Sequence, residues 1–155
     1  MEDLLRFLHV MGAIVLVGTG AGIAFFLVAA RQSRDVAAIA HVAGTVVVAD
    51  YLFTATAAIA QPITGWLLAR EVGWPLTEGW LALSIALYVL IGALWLPVVV
   101  IQTRLRDIAR DSLAAGTVLP ARWHKLYRIW FACGVPAFAM IVAIVALMLA
   151  RPVLW

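Results

Sequence analysis

The residue best placed to do chemistry is Asp50, a carboxylate near the middle of an apolar run from about 36 to 69. A charged side chain at mid-membrane costs about 2.5–3.5 kcal/mol on insertion scales, so such residues mark functional sites by default. From Asp50 onward, Thr54, Ala57, Gln61 and Thr64 recur at helical spacing and make one continuous stripe. A second stripe runs through Ser84, Tyr88, Trp95, Gln102 and Arg106 in the next apolar run. At 100° per residue these lie within about 40° of one another. Two polar stripes on antiparallel helices are best buried against each other or around a shared cavity. Asp50 then has two readings. One is a proton carrier, an ion site or a cofactor partner. The other is a hydrogen-bond anchor, held by Thr54 or by Tyr88 across the interface.

Three histidines are the remaining chemistry-bearing residues. His9 is flanked by apolar residues and followed by Gly12 and Ala13 on its own face. Small residues there let a flat ligand or a neighbouring helix approach, and histidine is the usual axial ligand of haem iron. Met148 and Met140 are candidate sixth ligands at the same end, although methionine is also plain packing material. His41 falls on the opposite side of its helix from Asp50, and His124 sits between Trp123 and Lys125. Both are read as solvated or hydrogen-bonded interface residues. No histidine pair has metal-ligand spacing within one helix, and HExxH and CxxC are absent from the sequence.

The elements that must position these residues follow from composition. Of 155 residues, 66% are hydrophobic and 12% charged. The mean hydropathy is +1.07. A soluble domain, whose surface faces water, does not carry that balance. Four apolar runs are predicted as transmembrane helices, over about 4–30, 36–69, 80–102 and 126–150. The first starts with Glu2 and Asp3 and is far longer than the apolar stretch of a signal peptide, so it reads as a retained helix. Pro62, Pro97 and Pro136 lie inside runs two to four. Each frees a carbonyl that a neighbour must satisfy. The expectation is an all-α integral membrane protein, one antiparallel four-helix bundle over residues 1–155, with the polar stripes and His9 facing inward.

Orientation follows from the basic residues at the span ends. The link after run three holds Arg104, Arg106, Arg110, Arg122, Lys125 and Arg128, and the first link holds Arg31 and Arg34. The other side has Arg6, Arg70 and Arg151. Both basic links are predicted on the cytoplasmic face of a bacterial inner membrane, with both termini outside. Alternating charge over 104–113 extends run three as a solvated or interfacial helix, broken by Gly116 and Pro120. Trp66, Trp74, Trp80 and Trp155 at one end, and Trp123 and Trp130 at the other, read as aromatic belts. The pI near 9.6 needs no nucleic-acid partner; it reflects a face suited to anionic lipid.

Gly18 and Gly22 form a GxxxG pair, which indicates close helix packing within the bundle or in a homodimer. The surrounding Gly-Thr-Gly-Ala-Gly run is not a nucleotide loop, since it lies in an apolar helix with no strand before it. The single cysteine, Cys133, excludes a disulfide framework within the chain. No nucleophile–base pair, phosphate loop or paired carboxylates are evident.

Several stretches together resemble a bacterial integral-membrane family known only as Domain of Unknown Function 2269. They are Leu8-His9-Val10, Ala49-Asp50 with Phe53-Thr54, Gln61-Pro62-Ile63-Thr64-Gly65, Trp95-Leu96-Pro97-Val98-Val99 with Gln102, and Pro136-Ala137-Phe138. Thr56 stands where this resemblance leads one to expect a proline. Leu8-His9 followed by Gly18 is also similar to the first helix of copper-resistance protein D and of HemJ-type protoporphyrinogen oxidases, although Val17 replaces the expected tryptophan. That second likeness implies His9 as an axial ligand of haem b, without implying the same enzyme.

Three functions compete on the sequence. The first is a haem-b-binding redox or electron-transfer protein, with His9 as ligand and Asp50, Gln61, Tyr88 and Trp95 as second shell or proton route. The second is a transport component for protons, a metal ion or a small solute, built on the Asp50 stripe and working as a homodimer. The third is a structural subunit of a larger membrane complex.

Overall fold

The computed structural model describes residues 1–155 as five α-helices and one π-helical turn. Helix α1 covers Glu2–Ser33 and α2 covers Val36–Ala49. The π-helical turn, Asp50–Thr54, leads without a break into α3, Ala55–Val72. Helices α4 (Gly79–Ala114) and α5 (Ala121–Ala150) complete the chain. Counting α2, the π turn and α3 as one span, four helices are long and apolar enough to cross a membrane. The fold is therefore all-helical, as composition required.

Local signals set the boundaries. After α1, Arg34 adopts the left-handed conformation (φ 60°), and Asp35 caps α2 by accepting from the Ala37 N–H at 2.9 Å. Gly73 (φ 82°) ends α3 in the left-handed region that glycine enters without a Cβ penalty. Helix α4 runs unbroken past the apolar segment to Ala114, and Gly116 (φ 63°) then turns the chain toward Pro120. At 1.5 Å per residue its 36 residues span roughly 54 Å, against a hydrocarbon core of about 30 Å. The charged segment predicted to extend run three is this overhang. Helix α5 begins at Ala121, about one turn before the fourth apolar run.

Only 27 of the 155 residues are buried, and the exposed surface carries large apolar side chains from Leu4 to Leu149. That inversion suits lipid and not water. The main core lies toward the end with the two basic links. It joins Ile23, Leu27, Ile39, Val46, Leu105, Ala109, Trp123 and Trp130. Trp123 is fully buried and its indole N–H donates to the Leu105 carbonyl at 3.0 Å, pinning α5 to α4. The aromatic-belt reading of Trp123 and Trp130 is thus corrected, because both rings pack inside the bundle. Trp80 is likewise buried, in a small cluster with Ala69 and Leu81, whereas Trp66 and Trp155 are exposed.

Toward the end that carries the termini, the helices pair off. Helix α3 packs on α1, α4 packs on α5, and no extensive contact joins α3 to α4. The approach of α1 to α3 is close. A Cβ on Gly12 would lie 3.1 Å from Gln61 Oε1, and one on Gly65 would lie 3.0 Å from His9 Cε1. By contrast, a Cβ on Gly18 or Gly22 would meet nothing within 4 Å. The GxxxG pair is therefore not a packing face within this chain.

Candidate functional site

The gap between the two helix pairs is a cavity of about 610 Å³. This lies in the range of pockets for small organic ligands, about 300–1,000 Å³. Hydrophobic residues supply 20 of its 26 lining positions. Ile59 on α3, Leu96 on α4 and Phe131, Val135 and Phe138 on α5 line it and are also exposed, so it opens sideways toward the lipid-facing surface.

Asp50 forms part of the wall, and the π turn puts it there. The Ala55 N–H reaches back five residues to the Asp50 carbonyl, inserting an extra residue into the turn. Asp50 is 3% exposed. Its Oδ1 accepts from the Trp95 indole N–H at 3.2 Å. Its Oδ2 accepts from the Gln102 side-chain amide at 2.9 Å, and Gln102 Oε1 in turn accepts from the Trp130 indole N–H at 3.2 Å. This is the amide orientation that leaves neither contact mismatched. Four side chains from three spans thus form one chain of hydrogen bonds. All of Asp50's donors are neutral, and the two side-chain ion pairs of the protein, Arg6–Glu2 and Arg106–Asp107, lie elsewhere. One turn beyond Asp50, Thr54 Oγ1 lines the same cavity, buried and without a partner.

Tyr88 crosses the gap. Its hydroxyl donates to the Ala58 carbonyl at 2.6 Å. That carbonyl has no helical donor, because the residue four positions on is Pro62.

The first polar stripe therefore divides. Asp50 joins α4 and α5, whereas Gln61 and Thr64 face α1. His9 Nδ1 lies 3.0 Å from Thr64 Oγ1. The Thr64 hydroxyl also lies 2.9 Å from the Ala60 carbonyl; when it donates there, it accepts from Nδ1–H and the His9 lone pair is on Nε2. Gln61 Oε1 is buried without a partner. In the second stripe, Ser84 is spent on its own helix, donating to the Trp80 carbonyl at 2.7 Å, and Arg106 pairs with Asp107. His41 is exposed in a shallow depression beside Arg110, and His124 is exposed with its ring edge against Trp123.

Sequence reasoning missed three contributors. Trp130 closes the Asp50 network, and Cys133 and Phe138 line the cavity. Trp130, Cys133 and Phe138 lie on α5 at spacings of three and five, which places the first two on one helix face. That face was the available signal.

The cavity contains no histidine and no methionine. His9 lies outside it, and Met148 packs instead against the cluster of Ala69, Trp80 and Leu81. A haem held by His9 would have to sit outside this cavity, and the cavity offers it no second imidazole or thioether ligand.

Fold and site together define a multi-pass integral membrane protein with a buried carboxylate on an apolar internal cavity. The chain belongs to the family described as "Predicted integral membrane protein (DUF2269)", whose family model matches residues 3–152. No curated protein and no solved structure matches it.

Proposed function

We propose that the protein is a membrane carrier component that binds a small solute or proton at Asp50. The observation that carries this reading is the Asp50 carboxylate, fixed by Trp95 and Gln102 on the wall of a cavity that opens sideways. A carboxyl kept away from water and from any cationic side chain is set up to bind and release a proton or another positive partner. Four helices are few for a carrier, and the unoccupied Gly18–Gly22 face offers a surface for a second copy. The test is ion and proton flux in proteoliposomes, comparing the natural chain with Asp50→Asn. Loss of flux in the variant supports the carrier; an unchanged flux sinks it.

A second reading keeps haem b, for a redox role, on His9. It is favoured by the Thr64 contact to Nδ1, which orients the imidazole and leaves Nε2 without a side-chain partner, as a metal-ligating histidine requires. When bound, haem would supply one-electron chemistry; this chain's own contribution would be the Nε2 ligand and its Thr64 anchor. An absorption spectrum of protein purified from haem-replete cells decides it. A Soret band lost in His9→Ala supports the reading, and no band removes it.

A further inference from the structure

We infer that the cavity is built for a lipophilic organic cation, an inference that rests on the carrier reading above and names its substrate class. Asp50 is the one acidic side chain among the lining residues, and no lysine, arginine or histidine joins it. The cavity therefore presents a single ionisable carboxyl on an apolar wall. Its two anchoring contacts, Trp95 N–H and Gln102 amide, hold the carboxyl in place and bring no cation to it, so a bound cation is the group that would hold it ionised.

The rest of the wall suits a bulky cation and not a bare ion. The indole of Trp95, the phenol of Tyr88 and the rings of Trp130, Phe131 and Phe138 all line the space. Aromatic faces attract cations through their quadrupole, most strongly where water is excluded. A metal ion needs several oxygen, nitrogen or sulfur ligands at short range, and the side chains here supply one carboxylate. An anion would meet Asp50 with nothing to offset it. A neutral apolar solute would gain nothing from the carboxyl. A monovalent cation whose charge is spread over apolar or aromatic groups satisfies carboxylate, rings and volume together. Its route is from the bilayer side, where Ile59, Leu96 and Val135 line the cavity and are exposed.

The test uses the full chain in detergent micelles and equilibrium dialysis with tetraphenylphosphonium. Tetraphenylborate, of the same shape and opposite charge, is the control, and micelles without protein are the blank. Saturable binding of the cation is expected, weakened at least tenfold in Asp50→Asn, with no displacement by tetraphenylborate. Gly92→Leu is the second variant. Gly92 lines the cavity and a Cβ there meets nothing within 4 Å, so leucine has room to occupy the space, and it too should abolish binding. Cation binding that is absent from the natural chain, or undiminished in the variants, or matched by tetraphenylborate overturns the inference. Asp50-dependent proton flux without cation binding would leave the carrier standing and reject the substrate class. Cation binding without any flux would uphold the site and reject the carrier.

Discussion

The Tyr88 hydroxyl donates to the Ala58 carbonyl at 2.6 Å, and it does so because Pro62 deprives that carbonyl of its helical donor. The bond is the polar link between α3 and α4, which otherwise meet in the small cluster of Ala69, Trp80 and Leu81. It couples a backbone defect on one helix to a side chain on another, and it holds the cavity's width.

Tyr88→Phe should therefore cost about 1 kcal/mol, within the range seen for interhelical hydrogen bonds in membranes. Combining it with Pro62→Ala should recover most of that loss, since the restored N–H reaches Ala58 O. Unfolding in mixed micelles, run as a double-mutant cycle, measures the coupling. Additive losses would mean the bond does not answer the proline.

Gln102→Leu should be more damaging. It strips one donor from Asp50 and leaves the Trp130 N–H without an acceptor inside the bundle. Leaving buried groups unpaired costs about 1–3 kcal/mol each. The same unfolding assay, together with a shift in tryptophan emission, reads the effect. A neutral Gln102→Leu would refute the network.

Gly65→Ala puts a Cβ 3.0 Å from His9 Cε1, so the imidazole must move. Destabilisation of about 1 kcal/mol is expected from overpacking, with a change in the His9 ring nitrogen shifts as the Thr64 contact loosens. Gly18→Ala meets nothing within 4 Å in the chain and should leave monomer stability unchanged. If both variants behave alike, the close approach of α1 to α3 is misplaced.

Deleting Leu52, an exposed residue of the π turn, should return the segment to α-helical winding. Helices α2 and α3 then keep their relative facing, while the backbone that carries Asp50 loses its bulge and the carboxyl moves away from Trp95 and Gln102. The expected outcome is a large loss of folded yield, scored by monodispersity in detergent; a fully stable deletion variant would show that the π turn is not required.

The spans, the helical overhang of α4 and the breaks at Gly116 and Pro120 were legible because each rests on a local signal: apolar length, alternating charge, or a residue that ends helices. The need for a partner at Pro62 was legible for the same reason, though not that Tyr88 meets it. The site was legible as far as Asp50, Trp95 and Gln102, which share inward-facing stripes. What a stripe drawn at regular spacing does not contain is the π turn, since no residue in Asp-Tyr-Leu-Phe-Thr announces it. Thr56 illustrates the point: its hydroxyl bonds the Leu52 carbonyl at 2.6 Å, the group a proline there would have freed. Trp130 was misread because a tryptophan near a span end looks the same whether it faces headgroups or a buried amide. Only helix packing decides between them.

The sideways opening of the cavity also sets what concentration means for this protein. A solute that enters there is drawn from the hydrocarbon of the bilayer, where an amphipathic compound accumulates far above its level in water. Apparent affinities expressed per aqueous concentration will then follow the partition coefficient of the compound as much as its fit to the cavity. They will also weaken as detergent or lipid is added, since each added micelle dilutes the solute in the phase from which it binds. Ranking compounds by mole fraction in the membrane, and not by molarity in buffer, is the comparison that reports on Asp50 and its surroundings.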